Sequence, residues 1–373
     1  MPTIAPFQLE RYFAKYEFKV KYLLSPSDCE SLTLNELLQL ADPDSLRLWH
    51  SLNLCYTESP GHPALREEIA RMYEHAPPAQ IVVAAPEELI FIAMHTLLRS
   101  GDHVVCISPA YQSLYEVARA IGCDVAVWPV EEVEGQWRLD LNRLESAITD
   151  RTRLLVVNFP HNPTGYLPTR RDIDSVIELA RRRNLFLFCD EMYRLLEYDE
   201  AGRLPPMCDL YERGISLSGL SKTFALPGLR LGWLATQDST LPEQWLTFKD
   251  YTTICNSAPS EILGLMALRA ADSIIARNLQ IIRSNIRIAE QFCGEHASLV
   301  RWFPPRAGSI AFPKWLGRAP IEQVCQSAVD EREVMVVPGS IFDFPGQHFR
   351  VGLGRKNFAE ALEQFGAHVQ LRG

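Results

Sequence analysis

The stretch at 214–236, GISLSGLSKTFALPGLRLGWLAT, decides how the rest of the chain is read. A β-like run ends in a small, hydroxyl-rich turn carrying Lys222 between Ser221 and Thr223. Arg230 follows eight residues after the lysine and opens a second strand-like run. A lysine shielded at a strand end loses part of the solvation that favours its ammonium form. Its pKa falls, and the free amine becomes a nucleophile toward an aldehyde. The nearby arginine suits a phosphate. A solvated loop lysine is the commoner fate of this residue, so the reading needs support from elsewhere.

Two stretches supply it. At 156–165, VVNFPHNPTG, an apolar run ends in two asparagines, Asn158 and Asn162, separated by turn residues. At 185–193, LFLFCDEMY, an apolar strand ends in Asp190, with Tyr193 three residues on. Taken singly, Asn162 reads as a turn residue and Asp190 as a helix cap. Taken together, they put an amide, a carboxylate and an amine at the carboxyl edges of successive strands, where α/β proteins bind ligands.

On these residues the chain resembles the fold-type I pyridoxal-phosphate enzymes of aminotransferase class I/II, from about Tyr56 to the C-terminus. The resemblance implies a catalytic set of Lys222, Asp190 and Tyr193. Lys222 would be the Schiff-base lysine and Asp190 the partner of the pyridine nitrogen. Tyr193 and Asn162 would sit at the ring's phenolic oxygen, Tyr111 would stack on the ring, and Arg230 and Ser221 would bind the phosphate. Arg350, in Phe349-Arg350-Val351-Gly352, would fork the substrate α-carboxylate, as two parallel N–H donors can. Tyr56 would reach a phosphate across a homodimer interface, giving shared active sites. The implied cofactor is pyridoxal 5′-phosphate. The implied chemistry is an external aldimine with a free α-amino acid followed by Cα deprotonation, nominally transamination.

The chain departs from that pattern in two places. Where a glycine–serine turn is usual after the first strand, it reads Ala84-Ala85-Pro86-Glu87-Glu88, and three residues before the lysine stands Gly219. Proline at the start of a helix is comfortable but removes one amide donor. The phosphate is then expected to rely on Ser221, Arg230, the amides of Ala85 and Glu87, and Tyr56 from a neighbour, with Ser218 replacing the lost hydroxyl. At the N-terminus, Leu9-Glu10-Arg11-Tyr12-Phe13 and 24–31, LSPSDCES, replace an apolar lid. Acids and hydroxyls there suit a guanidinium, which makes Glu10, Ser27, Asp28 and Glu30 candidate substrate contacts. The plainer alternative has Ser27 or Asp28 capping a short helix. This opening and the NFPHNPTG spelling are similar to the arginine-cyclising subgroup that includes capreomycidine synthase. There the same cofactor serves elimination followed by internal guanidine addition, as a cyclodehydratase on a hydroxylated arginine. A non-catalytic binding module on the same fold has no use for a Schiff-base lysine.

Composition agrees with an enzyme of two domains. The chain has 373 residues, 47% hydrophobic, with net charge −9. That is ample for full cores and offers no basic surface for nucleic acid. Nine cysteines lack CxxC spacing and nine histidines lack ligand spacing, so neither a disulfide framework nor a metal site is expected. No apolar stretch reaches membrane-spanning length, and the start, MPTIAPFQLERYF, lacks a basic-then-apolar leader. A soluble, cytoplasmic protein is expected. Strand–helix alternation between about 80 and 190 predicts an α/β fold, a mainly parallel sheet covered by helices. The large cofactor domain is placed at 45–245. A smaller α+β domain, with the substrate lid, combines 1–44 and 246–373. Long helical patterns are expected at 245–251 and 261–293, and a last helix from Asn357.

Overall fold

The computed structural model describes residues 4–370, so the first three residues of the N-terminal stretch lie outside it. Its centre is an eight-stranded sheet. Numbered along the chain, the strands are β1 (Ile81–Ala84), β2 (His103–Ser108), β3 (Asp124–Val133), β4 (Gln136–Leu139), β5 (Thr152–Asn158), β6 (Phe186–Asp190), β7 (Gly214–Gly219) and β8 (Gly232–Thr236). They lie in the order β1-β8-β7-β6-β5-β2-β3-β4. The pairs β7–β6, β6–β5, β5–β2 and β2–β3 are parallel, while β8 runs against both neighbours. The apolar runs IVVA, LLVV and FLFC become strands because helices cover both faces, so no position on them needs to be polar. The sheet is mainly parallel, as expected.

Two features escaped the sequence reading. Residues 130–139 form a hairpin of β3 with β4, which lengthens the sheet at one edge. The helical run at 261–293 breaks at Ala270 into α-helices Ala258–Arg269 and Ala271–Glu295. No glycine or proline marks that break. It arises because the first helix packs on the sheet through Ile262, Leu265 and Met266, while the second turns away to a separate core through Leu279 and Ile282. The expected limits 45–245 cut through the sheet's outer layer. Helices Leu34–Leu40 and Ala258–Arg269 lie outside those limits, yet both share one apolar cluster with Ile81, Val83 and Trp233.

The separate core gathers the C-terminal elements. Strand Phe349–Gly352 lies between Ile310–Ala311 and Val337–Pro338, backed by helices Ile321–Arg332 and Phe358–Gln370. Segment 24–30 runs beside that strand. Gly352 N–H donates to Leu24 O at 2.7 Å and Glu30 N–H to Gly354 O at 2.8 Å. A side chain at 352 would bring its Cβ within 1.9 Å of Pro26 O, so only glycine admits this approach. No helix begins at Ser27 or Asp28. The next helix starts at Leu34 behind a capping box on Thr33.

Candidate active site

Six strands run in one direction, and the carboxyl ends of five of them, β1, β2, β5, β6 and β7, lead to one cleft of about 600 Å³. The residues that line it follow from that edge. Pro86 and Glu87 open the helix α1 (Pro86–Leu97) after β1, and Tyr111 follows β2. Asn162 follows β5; Asp190 and Tyr193 end and follow β6; Ser221 and Lys222 follow β7. Arg230 precedes the antiparallel β8, so it too arrives at this edge. The opposite wall is the helix Gln8–Tyr16 with segment 24–30, which contributes Glu10, Phe13, Glu17, Ser27 and Asp28.

Lys222 is enclosed, and its Nζ donates to Ser27 Oγ at 2.9 Å. Burial pulls its pKa below the ordinary lysine value and Arg350 adds to this, while Asp28, Glu10 and Asp190 oppose. Asp190 is buried and accepts from Met192 N–H at 3.0 Å. Burial pushes its carboxyl up to about 6 against that bond and Lys222. Such a group keeps room for a cationic N–H partner. Its neighbour Asn158 donates to Asp190 O at 2.8 Å and accepts from Asn162 N–H at 2.7 Å, joining two strand ends. His161, fully buried, ties the same turn to Pro109 O at 2.8 Å and to Thr164 at 2.7 Å, and burial drives its pKa down to about 3.

Arg350 is 1% exposed, and its hydrogen bonds go only to neutral oxygens: Ser25 O at 3.0 and 3.2 Å and Asn162 Oδ1 at 3.3 Å. A buried guanidinium without a carboxylate is costly unless one arrives with a ligand. The Ser221 hydroxyl is buried with no partner, and the Tyr193 hydroxyl, with Ser27 beside it, makes no hydrogen bond of good geometry. Tyr111 donates to Glu10 Oε1 at 2.7 Å.

Several expected residues fall elsewhere. Ala85 is the N-cap of α1, and its side chain is not on the cleft wall. Ser218 faces away from the cleft, on the side of Trp233. Glu30 also lies off the cleft and accepts from Lys356 N–H at 3.3 Å. Asp28 lines it but is already engaged by Arg355 at 3.0 Å. Tyr56 is 86% exposed, not a core tyrosine. Gly219 has a local reason. The Pro86 ring lies 3.2 Å from where its Cβ would stand, and 2.8 Å from that of Gly232, so proline and two glycines pack as one unit.

The profile of the family described as aminotransferase class I and II matches residues 28–365. The chain belongs to that family. Among curated relatives, capreomycidine synthase of Streptomyces vinaceus is 30% identical over 98% of this chain and 95% of its own length. An aspartate aminotransferase of Musicola paradisiaca is 32% identical over 57% of this chain and 55% of its own length. Among solved structures, a PLP-dependent aminotransferase from Streptococcus suis superposes with TM-score 0.93 at 28% identity, covering 100% of this chain and 99% of the other. The PLP-dependent cyclase OrfR gives 0.90 at 27% identity, with coverage of 100% and 99%.

This member of the aminotransferase class I and II family is a pyridoxal-phosphate enzyme, and its cleft fits the cofactor. An orphaned hydroxyl, an arginine and a helix N-terminus offer an anion site at one end. The buried Asp190 carboxyl and the part-buried Lys222 amine, its pKa lowered, line the same cleft. The parts played by four side chains were not read from the sequence: those of Asn158, His161, Glu17 and Glu87. The first two were visible inside NFPHNPTG as polar residues closing an apolar strand. The two acids carried no local signal.

Proposed function

We propose that this chain acts on a free α-amino acid by taking a proton from Cα, with transamination as the nominal outcome. The observation that carries the reading is Lys222: a part-buried amine, lowered in pKa and held by one hydroxyl, in the same cleft as a guanidinium without a carboxylate bond and a strand-end carboxyl. Bound pyridoxal phosphate supplies an aldehyde and an electron sink that acidifies Cα–H. Asp190 would hold a proton on the ring nitrogen, and Asn162 and Tyr193 would donate to the ring oxygen. Tyr111 would stack on the ring. Ser221, Arg230 and the first turn of α1 would hold the phosphate. Arg350 would exchange Ser25 O for the substrate carboxylate, and Lys222, once free, would carry the proton at Cα.

A second reading has a specific observation behind it. Glu10, Glu17 and Asp28 face Lys222 from the N-terminal wall, and burial raises the Glu17 carboxyl, with Asp28 and Glu10 adding to the rise. Those acids suit a cationic side chain, as an arginine-derived substrate undergoing elimination and cyclisation would have. Purified enzyme incubated separately with glutamate, arginine and hydroxyarginines separates the two. A keto acid with pyridoxamine phosphate supports transamination, and a cyclic product retaining its α-amine replaces it with the second reading.

We further infer a homodimer. Leu54, Tyr56, Tyr251 and Ile254 are exposed on two loops, 51–60 and 250–257, tied together by Lys249 Nζ to Ser59 O at 2.6 Å and to Ile254 O at 3.3 Å. Such a patch fits a second copy, with Tyr56 entering its partner's phosphate site. Nine free cysteines fit a reducing compartment, the cytoplasm. No described helix is long and apolar enough to cross a membrane.

A further inference from the structure

We propose that Glu87 is a proton-linked element of the phosphate cup: its carboxyl is neutral when the cofactor is held, and binding of the cofactor's phosphate takes up one proton there from solvent. This rests on the phosphate lying at Ser221, Arg230 and the first turn of α1. Pro86 and Glu87 open that helix, and the two acids beside the proline diverge. Glu88 turns outward to the hydroxyls of Thr252 and Thr253, whereas Glu87 turns into the cleft. The unpartnered Ser221 hydroxyl, 6% exposed, lines the same cleft.

Glu87 receives one side-chain hydrogen bond, from Ser113 Oγ to Oε2 at 3.1 Å. The charged or titratable groups facing it are Glu10 from the N-terminal wall, Tyr111 from the loop after β2, Asp190 from the end of β6, and Arg230. Two are acids and one is a phenol, so only Arg230 favours the anion. Burial pushes the Glu87 carboxyl up to about 7; Ser113 and Arg230 work against this, and Glu10 and Asp190 add to it. A phosphate dianion beside Arg230 would engage that one cation and repel the carboxylate. Protonation removes the repulsion and supplies an O–H donor, where Pro86 lacks an N–H and Gly219 a hydroxyl.

By linkage, cofactor affinity is insensitive to Glu87 below its free pKa, and above it falls by about tenfold per pH unit. The probe is pyridoxamine 5′-phosphate, which has no aldehyde and keeps imine formation at Lys222 out of the equilibrium. Full-length enzyme freed of cofactor by dialysis is titrated with it between about pH 6 and pH 9. The wild-type affinity, divided by that of E87Q, should fall about tenfold from pH 8 to pH 9. Calorimetry in two buffers of different ionisation heat should show greater proton uptake in wild type than in E87Q. S113A removes the one side-chain bond that favours the anion, so it should raise the free carboxyl's pKa and move the break in the affinity profile to higher pH. This variant decides the matter if E87Q does not fold. Parallel profiles for wild type and E87Q, an equal loss of affinity in E87Q at every pH, or an unmoved break in S113A overturns the proposal. Failure of the phosphate placement itself would look different: R230A would then keep wild-type affinity throughout.

Discussion

The two walls of the cleft are built in opposite ways. On the sheet side the functional groups follow strand ends, and the turns that carry several of them are tied by bonds that also hold the fold. Asn158 joins β5 to Asp190, and His161 ties the next turn to Pro109. On the N-terminal side the groups come from a helix and an extended segment laid against Gly352 and Gly354, with Glu10, Glu17 and Asp28 on its inner face. The bonds of Asn158 and His161 tie the sheet wall's turns to the strands, whereas the N-terminal wall is joined to the C-terminal core through segment 24–30. On the function proposed above, the chemistry is assigned to the first wall and the choice of substrate to the second.

The largest effect should come from the sheet wall. Lys222→Ala should reduce turnover by at least about a thousandfold, the upper range for a positioned acid–base group. The visible absorbance of the holoenzyme should shift as well, and a variant retaining both would break the division between walls. Asp190→Asn keeps the shape and removes the charge, so turnover should fall by about a hundredfold in single-turnover assays. Glu191→Gln makes the sharper control. Glu191 is equally buried one residue on, but Met207 N–H at 2.6 Å and Ser216 Oγ at 2.9 Å engage it away from the cleft. That change should lower the melting temperature and leave kcat near wild type. Arg350→Lys should raise KM for amino acids by roughly tenfold to a hundredfold, because a single ammonium cannot form the bidentate pair.

Much of the sheet wall was legible because its residues interrupt apolar strands. A polar side chain at the end of LLVV or FLFC has few structural reasons to be there, and Asn158 and Asp190 stood out on that ground, with Asn162 and Lys222 in the turns that follow strands. The rest was not, because its logic is three-dimensional. Asp28 looked like a free acid until its pairing with Arg355, 327 residues away, was seen. Ser218 was one residue out of phase, since strand alternation turns it to the opposite face. Segment 24–30 looked like a helix start, and its true partner is the close approach that Gly352 and Gly354 permit.

Smaller effects probe the weaker wall. Glu17→Gln should lower kcat/KM for a cationic amino acid by up to about tenfold relative to a neutral one, with cofactor absorbance unchanged. An equal effect on both substrates would remove Glu17 from the substrate pocket. Acid tests the sheet wall once more. His161 titrates near 3 when folded and near 6.5 when unfolded, so its stability contribution is whole above about pH 6.5 and falls on acidification. The loss should approach 1.4 kcal/mol per pH unit below that point, read from urea midpoints, and be absent in His161→Asn.

The contact of the Pro86 ring with Gly219 and Gly232 makes three positions, spread over 147 residues of chain, behave as a single character. A Cβ at 219 would stand 3.2 Å from the ring and 3.0 Å from Gly232 Cα and Leu231 O, and one at 232 would stand 2.8 Å from the ring and 2.7 Å from Ser218 O. A hydroxyl-bearing side chain at 219 therefore requires the backbone of the β7–β8 pair to give way as well as the ring, so changing the cup at one position draws in the other two.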